Sequence, residues 1–521
     1  MAKITRREFL LSLAALPLVK LAAPIIMPPR TISRPYRQTQ PGADKPNILV
    51  MVFDALSARD ISLFGYRRET TPNLARLAEK ATVFHNHYAG ANFTSPGTSS
   101  LLMGLYPWSH RSLHYFSHPT EAMAHHNIFN FLPDDYYKLA YTHNSLASAV
   151  LYQFQDHMNY LKPRRELTLS DSMWGDVVFP NDYPVFTLAE RQIGGLGNRP
   201  PTSTIFSAID LIRTGAAAKM YKDDYAKAFP LGLPGDLFPS HFLLEDAIDW
   251  VADLNSQVAN PYFAYVHLYP PHQPYNTRAE FVDIFDDGWM PAEKEKNVVY
   301  SEDKPDARLY ASRKAYDEYI AYVDAEFGRL FAMLEQSGAL ENTYVILTSD
   351  HGELFERGIV GHGFPVLYDP VVHVPLMVWK PGQQQRADVF ERTSCVDVLP
   401  TMLQITGQPI PETCEGIVLP TFSDAAANPG ERSIFSVEGK LNNAHAPLTI
   451  ATYALYKGPY KLIGYNGYKE LSSEGEKYEL FDLENDPDEL DNLFETRSSI
   501  GQELKDEMKR KIVEVNEPYR R

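Results

Sequence analysis

The most regular feature of the chain is a pair of short apolar runs, residues 48–53 and residues 344–348, each bounded by polar residues. Runs of this length without polar alternation are typical of strands that are buried on both faces of a sheet. The second run follows a segment that ends at Gly338 and in which apolar side chains recur at helical spacing. The periodic positions are Ile320, Val323, Phe327, Leu330, Phe331 and Leu334. The pattern therefore predicts a helix that leads into a buried strand.

Strands that follow helices in this way favour an α/β fold, a doubly wound and mostly parallel sheet flanked by helices. In such sheets, ligands bind beyond the carboxyl ends of the strands. Both apolar runs are followed by an aspartate near that edge, Asp54 and Asp350. Residues 165–240 contain scattered proline and aromatic residues without a period, and we interpret them as long loops near the site.

The patterns divide the chain into a main domain over residues 46–425 and a C-terminal subdomain over residues 426–521. Within the subdomain, β-type segments at residues 448–453 and 460–463 precede a charged helical segment at residues 500–513. This order predicts a small antiparallel sheet with one helix.

Residues 1–30 carry the features of an export signal. Arg6 and Arg7 precede a largely apolar stretch at residues 10–19, which resembles a twin-arginine signal. The stretch is shorter than the roughly 20 apolar residues that a membrane span requires. We therefore expect export through the twin-arginine machinery to the periplasm or another extracytoplasmic compartment, with residues 31–45 as a linker. No clear cleavage site follows, so an uncleaved signal that anchors the protein stays an alternative.

The composition narrows the class of protein. A chain of 521 residues with 44% hydrophobic content can bury a large core, which excludes a disordered or fibrous protein. The formal charge of −17 disfavours nucleic acid as a partner. A bound metal ion can still reverse the local field for a small anionic substrate. The only two cysteines, Cys395 and Cys414, exclude a disulfide framework and leave two free thiols or one bridge as alternatives.

Three polar segments supply the candidate chemistry. Asp54 alone is explained equally well as a helix cap, but Asp350 is followed at once by His351. Aspartate and histidine at strand ends are typical metal ligands. The hydroxyl-rich segment at residues 92–104 runs into a helix-like stretch and places Thr94 near a helix N-terminus, where a phosphoryl or sulfuryl group is favoured. Because hydroxyl residues before a helix are usually caps, this segment alone does not assign a nucleophile.

Taken together, these segments resemble the sulfatase family of the alkaline phosphatase superfamily, and the resemblance covers most of the chain. Its most specific block is Asp350-His351-Gly352-Glu353. Further blocks in family order are Pro46-Asn47-Ile48, Thr71-Pro72-Asn73-Leu74, Gly104-Leu105-Tyr106-Pro107, Pro271-His272-Gln273-Pro274-Tyr275, Gly361-His362-Gly363 and Tyr478-Glu479-Leu480-Phe481-Asp482-Leu483. The resemblance implies a metal-dependent ester hydrolase or transferase with its nucleophile at position 94.

The sequence departs from the family pattern at three positions of the site. Thr94 stands in place of the Cys or Ser that becomes formylglycine, Thr98 in place of the motif arginine, and Ala55 in place of a second adjacent aspartate. A threonine cannot form formylglycine, so the resemblance implies an unmodified hydroxyl nucleophile. The ligands that remain for one divalent metal ion are Asp54, Thr94, Asp350 and His351.

This ligand set favours zinc or manganese, because two carboxylates, one imidazole and one hydroxyl suit those ions. Calcium prefers roughly six to eight oxygen ligands. Calcium and magnesium stay open as alternatives. The set is similar to that of phosphoethanolamine and phosphoglycerol transferases and of phosphonate monoester hydrolases.

The resemblance also implies how the site would act. Thr94 would attack phosphorus or sulfur in line and form a covalent threonine ester, which water or an acceptor alcohol then releases. His272 and His362 are the candidates for stabilising the leaving group and holding the anion. His110 and His267 are expected to be structural. Thr94 lacks the second hydroxyl with which a formylglycine hydrate expels sulfate, which favours phosphate or phosphonate esters and diesters over sulfate.

Two other functions stay open. One is a sulfuric ester hydrolase with an unmodified nucleophile, and the other is a catalytically inactive binding or scaffold protein on the same fold. The retained metal ligands and the hydroxyl at position 94 count against the second. We expect a small anionic ester as substrate, on a lipid or a glycan, but residues 165–240 carry no motif that identifies it. The sequence contains no signal for the oligomeric state.

Overall fold

The structure, a computed structural model, describes residues 45–115, 117–169, 221–236, 240–297, 299–423, 432–471 and 475–520. The predicted export signal at residues 1–30, the linker except its last residue, and residues 170–220 of the predicted loop region lie outside these ranges. Within the described ranges, no helix is long and apolar enough to cross a membrane.

The strands of the described residues form one large sheet, one smaller sheet and two short ribbons. They are β1 (Asn47–Phe53), β2 (Thr82–Phe84), β3 (His87–Tyr88), β4 (Tyr137–Thr142), β5 (Tyr160–Leu161), β6 (Tyr262–Leu268), β7 (Thr343–Thr348), β8 (Leu354–Glu356), β9 (Ile359–Gly361), β10 (Leu376–Trp379), β11 (Ala387–Val389), β12 (Thr393–Ser394), β13 (Ile434–Glu438), β14 (Ala451–Lys457), β15 (Tyr460–Asn466) and β16 (Glu476–Asp482). The large sheet has the order β11-β2-β10-β7-β1-β6-β4-β5. Its strands are parallel except for β10, which runs antiparallel to β7 and β2.

Helices cover both faces of this sheet. The α-helices of the described residues are α1 (Pro72–Ala78), α2 (Thr94–Met103), α3 (Pro107–His110), α4 (Ile128–Phe131), α5 (Ser145–Gln153), α6 (Leu244–Ala252), α7 (Leu254–Gln257), α8 (Asp306–Gln336), α9 (Asp369–Val372), α10 (Val398–Ile405) and α11 (Ser498–Asn516). The predicted helix before β7 is confirmed as α8. Gly338 follows it with φ +73°, the left-handed conformation that commonly ends a helix. The predicted fold class, a doubly wound and mostly parallel sheet flanked by helices, is confirmed.

The register of β1 explains why its sequence is apolar throughout. The strand lies between β6 and β7 and pairs in parallel with both. Alternate side chains point to opposite faces of a sheet. Leu49, Met51 and Phe53 pack in one buried cluster with residues of α6 and α8. Ile48, Val50 and Val52 pack in another, with residues of α2 and α10. A strand covered on both faces has no position that faces water.

The C-terminal sheet, in the order β13-β14-β15-β16, is antiparallel as expected, and α11 follows it. The strand predicted at residues 448–453 begins later, at Ala451, because the three preceding amides bond elsewhere. Leu448 N donates to Asn516 Oδ1, and the amides of Thr449 and Ile450 donate to Asn442 Oδ1. The predicted boundary between residues 425 and 426 lies outside the described residues and stays a prediction.

The two cysteines lie on the main-domain side of that boundary. Cys395 is buried, Cys414 is half-buried, and both are free thiols. Of the two alternatives, the structure therefore matches the pair of free thiols.

Candidate active site

Four adjacent strands bring the candidate site residues to one edge of the sheet. In the order β7-β1-β6-β4, each strand runs parallel to its neighbour, so their carboxyl ends lie side by side. Asp54 directly follows β1 and Asp350 lies just after β7. His267 lies near the end of β6, and Asn144 follows β4 at the start of α5. The predicted location of the site, beyond the strand ends, agrees with this arrangement.

Asp54, Asp350 and His351 form a cluster of buried metal-ligating side chains. One ligand atom from each lies within 4.8 Å of the other two. His351 Nδ1 lies 2.9 Å from the carbonyl oxygen of Gly352, so the geometry assigns the proton to Nδ1 and leaves the Nε2 lone pair facing the carboxylates. Nε2 lies 3.4 Å from Asp54 Oδ1 and 3.6 Å from Asp350 Oδ2.

The hydrogen bonding of this cluster fits a divalent cation. Asp54 Oδ1 and Asp350 Oδ2 are buried and have no hydrogen-bond partner among the described residues. Buried carboxylate oxygens without donors are costly unless a cation compensates them. Two carboxylates and a neutral imidazole with a free Nε2 are a donor set that such an ion binds.

The pKa values of the two aspartates also fit a bound cation. Burial and the nearby charge of Asp54 raise the pKa of Asp350 well above its usual range. Burial also opposes ionisation of Asp54, but His272, His267 and His351 outweigh it and hold the pKa of Asp54 below its usual range. Together, the two adjacent buried carboxyl groups therefore favour a state that holds one proton. A bound metal ion would displace that proton.

Thr94 is the first residue of α2 and faces this cluster. Its side chain is buried, and Oγ1 lies 3.4 Å from His351 Nε2. Phe93 precedes it in extended conformation and provides no side-chain cap, so the first amides of α2 stay available to an anion. The helix that the sequence predicts after residue 94 is thus present, with the threonine hydroxyl at its N-terminus.

The contact between α2 and the end of β7 depends on Gly97. A Cβ atom at this position would lie 2.4 Å from the carbonyl oxygen of Asp350. That distance is too short for any side chain, so glycine permits the close approach of helix and strand end. The result is that the nucleophile candidate and the second carboxylate are held together by backbone packing.

Asn144 is a site residue that the sequence analysis missed. Its Nδ2 donates to Asp54 Oδ2 and lies 3.3 Å from Thr94 Oγ1. Its Oδ1 caps α5, accepting from the amides of Leu146 at 2.7 Å and Ala147 at 3.3 Å. The cap fixes the amide so that its N–H groups point at the carboxylate and the hydroxyl. The strand before it, β4, was not predicted from the sequence, so the strand-end position of Asn144 gave no signal in advance.

Replacing Asn144 with alanine is expected to lower kcat by about 100-fold, the usual effect of losing one donor to a developing oxyanion. The measurement is steady-state kinetics on the best ester substrate. Asn127→Ala is the matched control, because Asn127 also caps a helix, accepting from Asn130 N at 3.1 Å. Both variants should lose about 1 kcal/mol of stability. Equal activity of the two variants would show that Asn144 is only a cap.

His267 also lies closer to the site than its sequence pattern indicates. Nε2 lies 3.3 Å from Asp54 Oδ2 and 3.8 Å from Asp350 Oδ2, and Nδ1 lies 3.2 Å from the hydroxyl of Tyr265. The expectation of a purely structural histidine does not describe this position. His110, by contrast, is hydrogen-bonded on both nitrogens, to Ser100 and Ser112, away from the carboxylate cluster.

His272 and His362 lie together beside His351. The ring centroids of His351 and His362 are 4.2 Å apart, and those of His272 and His362 are 4.7 Å apart. His362 Nδ1 lies 2.8 Å from Glu353 Oε1, and His272 Nδ1 lies 2.8 Å from the carbonyl oxygen of Gln273. Both rings are therefore oriented through Nδ1, which leaves each Nε2 for a ligand or for proton transfer.

Glu353 is a second residue whose side chain the sequence did not assign. Burial raises its pKa to about 8. Burial and the nearby His272 lower the pKa of His362 well below its usual range. The pair therefore sits in an environment that disfavours charge, as proton-transfer groups often do.

Comparison with known proteins identifies the family. A family model described as Sulfatase matches residues 46–408, and one described as N-sulphoglucosamine sulphohydrolase, C-terminal, matches residues 362–518. Arylsulfatase K of Bos taurus is 34% identical over 208 residues, 37% of this chain and only 36% of that protein. The choline-sulfatase of Rhizobium meliloti is 24% identical, covering 87% of this chain and 83% of that protein.

Solved structures share the fold. A phosphonate monoester hydrolase from Silicibacter pomeroyi superposes with TM-score 0.64 at 20% identity, covering 91% of this chain and 96% of that one. A 2-O GAG sulfatase superposes with TM-score 0.59 at 17% identity, covering 92% and 94%. With one family model matching most of its length, the chain belongs to the sulfatase family.

Proposed function

We propose that the protein is a metal-dependent hydrolase or transferase of phosphate or phosphonate esters and diesters, and that it acts through a covalent ester on Thr94. The observation that carries the proposal is the place of this unmodified hydroxyl. Oγ1 lies 3.4 Å from His351 Nε2, beside two buried carboxylates and at a helix N-terminus. These groups are suited to hold an anionic ester with its central atom next to the hydroxyl.

Asp54, Asp350, His351 and Thr94 would hold one divalent cation, for which zinc or manganese is favoured. When bound, the cation would offset negative charge on the hydroxyl oxygen and on the nonbridging oxygens of the substrate. The orphaned oxygens of Asp54 and Asp350 support its presence in the working protein.

The side chains of the site supply the remaining steps. Thr94 Oγ1 would attack phosphorus, forming one O–P bond as the bond to the leaving oxygen breaks. The hydroxyl proton of Thr94 would pass to bulk water, and Asn144 Nδ2, 3.3 Å from Oγ1, would donate a hydrogen bond to Oγ1 as it becomes negatively charged. His362 would give its Nε2 proton to the leaving oxygen while its Nδ1 accepts the proton of Glu353, and His272 would help to hold the anion. The same groups would assist water or an alcohol in cleaving the threonine ester.

The absence of a second hydroxyl on Thr94 sets the substrate preference. A formylglycine hydrate can expel sulfate by elimination, whereas an ester on threonine has to be broken by direct attack. That requirement favours phosphorus esters, which form and lose such covalent intermediates by displacement. It leaves hydrolysis and transfer as two outcomes of one mechanism, decided by the nucleophile that enters second.

A sulfuric ester hydrolase is the second candidate. Its support comes from the names of the relatives, which include arylsulfatases and a choline-sulfatase, and from a structural neighbour solved with D-glucosamine-2-N,6-O-disulfate. A catalytically inactive scaffold is disfavoured, because decay of a site would be expected to remove ligands before it removed the fold.

We also propose that the protein is exported by the twin-arginine machinery and works outside the cytoplasm on a small anionic ester. The support is the sequence of residues 1–30, with Arg6 and Arg7 before a short apolar stretch. Lysine at both arginine positions should retain the protein in the cytoplasm on cell fractionation. Export that is unaffected by this change would contradict the proposal.

The substrate class is tested by one comparison on the purified, metal-analysed protein. Nitrophenyl phosphate, a nitrophenyl phosphodiester, a nitrophenyl phosphonate and nitrophenyl sulfate share one leaving group, so their kcat/KM values compare the central groups directly. We expect at least one phosphorus ester to be turned over faster than the sulfate. Fastest turnover of the sulfate would favour the second candidate, and no turnover together with no metal would favour the scaffold.

A further inference from the structure

Lys440 is a cation near the site, and its ion pair with the described residues is a long one, with Glu438. It lies in the turn after β13, and its side chain is 20% exposed. Nζ lies 3.9 Å from Glu438 Oε1, which is too long for a hydrogen bond, and it makes none with the described residues. Glu438 itself is bonded to the hydroxyl of Tyr468 at 2.8 Å and to the amide of Lys440 at 3.1 Å.

The surroundings of Lys440 connect it to both halves of the site. Nζ lies 5.5 Å from the ring centroid of Tyr115 and 6.0 Å from that of Phe364. Tyr115 accepts a hydrogen bond from Ser95, the residue after the nucleophile, and its hydroxyl donates to Gly363. Phe364 lies two positions after His362 in the chain. The ammonium group therefore lies near two aromatic rings, one bonded to the residue after Thr94 and one close in sequence to His362.

The charge of Lys440 acts on His362. It contributes to lowering the pKa of His362, after burial and His272. Thr94, His272 and His362 form no hydrogen bond or ion pair with a lysine or an arginine in the described ranges. Since Thr98 replaces the arginine of the family motif, Lys440 is a nearby source of positive charge for an incoming anion.

The turn that carries Lys440 is held in place. The guanidinium group of Arg111 donates to the carbonyl oxygens of Asn443 at 3.3 Å, Ala444 at 2.8 Å and Ala446. Arg111 also stacks on Tyr519, with its guanidinium carbon 3.9 Å from the ring centroid. These bonds hold the segment just after Lys440, and the ammonium group, 20% exposed, is partly removed from water, a loss that an anionic ligand would offset.

We propose that Lys440 binds a second anionic group of the substrate, separate from the ester that is cleaved. The natural substrate would then carry a carboxylate or a further sulfate or phosphate group near the scissile ester. This inference rests on the proposed function, because it assumes that the ester binds at Thr94. It makes Lys440 a residue that determines specificity.

The test measures binding, so it does not depend on turnover. Phenylphosphonate, which offers only the group that would bind at Thr94, is compared with 3- and 4-carboxyphenylphosphonate and with 4-sulfophenylphosphonate by isothermal titration calorimetry. We expect the metal-loaded wild type to bind at least one doubly anionic ligand at least about fivefold more tightly than phenylphosphonate. Comparison of the carboxyphenyl and sulfophenyl ligands shows which second anionic group is preferred.

Variants of Lys440 distinguish binding of a second anionic group from binding of the group that is cleaved. Lys440→Met should lose the preference while retaining affinity for phenylphosphonate, and Lys440→Arg should keep part of it. Leu441→Ala is the control, since Leu441 is the next residue and is 63% exposed. An unchanged preference in Lys440→Met would overturn the inference, and equal losses for all ligands would show that Lys440 binds the scissile group instead. If the wild type bound phenylphosphonate without any preference, the inference would fail while the proposed function stood. Failure to bind any phosphonate would count against the proposed function itself.

Discussion

Thr94→Ala is expected to lower kcat/KM for the best ester substrate by about 10⁴-fold or more, with the fold and the metal content unchanged. The reason is that, among the residues that the structure describes, Thr94 Oγ1 is the hydroxyl oxygen that lies beside His351 Nε2, so its removal removes the attacking atom. Loss of a covalent nucleophile is among the largest single effects in enzyme kinetics. The measurement is steady-state kinetics with metal analysis of each preparation.

Two further variants make this result specific. Thr94→Ser keeps the hydroxyl and should retain most of the activity, since only a methyl group is lost. Ser99→Ala removes another hydroxyl from α2, one that donates to the Ser95 carbonyl oxygen at 2.7 Å, and should act like wild type. Activity of Thr94→Ala that stays within tenfold of wild type, roughly 1.4 kcal/mol in the barrier, would exclude Thr94 as the nucleophile.

Asp54→Asn is expected to lower metal affinity by at least about 100-fold and to abolish turnover at limiting metal. An amide oxygen carries no full charge, and even changes in residues that only orient ligands cost about 10- to 100-fold in affinity. The variant also leaves the amide of Asn144 facing another amide, so the donor from Asn144 loses its charged acceptor. Metal content after dialysis, followed by titration of zinc and manganese, measures the effect.

Asp324→Asn is the matched control for that loss. Asp324 is buried in α8 and accepts hydrogen bonds from the amides of Asn73 and Leu74, both at 2.8 Å, on the other side of the sheet from α2. This exchange should reduce stability without changing the metal content. If Asp54→Asn bound metal as tightly as wild type, the carboxylate cluster would not be the metal site.

The sequence was a sufficient guide to the fold because its signals were local. Residues 48–53 and 344–348 have the pattern typical of buried strands, and both strands begin one residue earlier than the apolar run, at Asn47 and Thr343. The acids at their ends were brought together by parallel pairing, which the fold class already implied. When short apolar runs are recognised as parallel strands, the polar residues that follow them are predicted to meet at one edge of the sheet.

Other parts of the site depend on contacts that no local pattern contains. Asn144 is a common residue at a helix start, and only the order of β4 next to β6 brings it to Asp54. His267 sits in a strand whose remaining residues are core, which favours a structural role. Lys440 is distant in sequence from the other site residues, and it lies in a turn region to which Arg111 donates a hydrogen bond. Each of these positions is set by tertiary packing.

The departures from the family pattern carry the functional argument. Thr94 rules out formylglycine, and Ala55, with φ +61°, removes a carboxylate while its amide lies 3.4 Å from Asp350 Oδ1. The family therefore predicts the fold and the metal ligands more reliably than the substrate. Two carboxylates and one imidazole beside one hydroxyl form a site that is compatible with a phosphorus ester. The departures from the family pattern favour the same class of substrate.

The central claim is a covalent ester on Thr94, and trapping that ester tests it most directly. The wild type is mixed with an ester labelled in its phosphoryl or phosphonyl group, quenched in acid within a single turnover, digested and mapped by mass spectrometry. We expect label on the peptide that contains Thr94, formed and lost at rates that match turnover, and no label in Thr94→Ala. Turnover of the same substrate without covalent label, or with label on another residue, would contradict it.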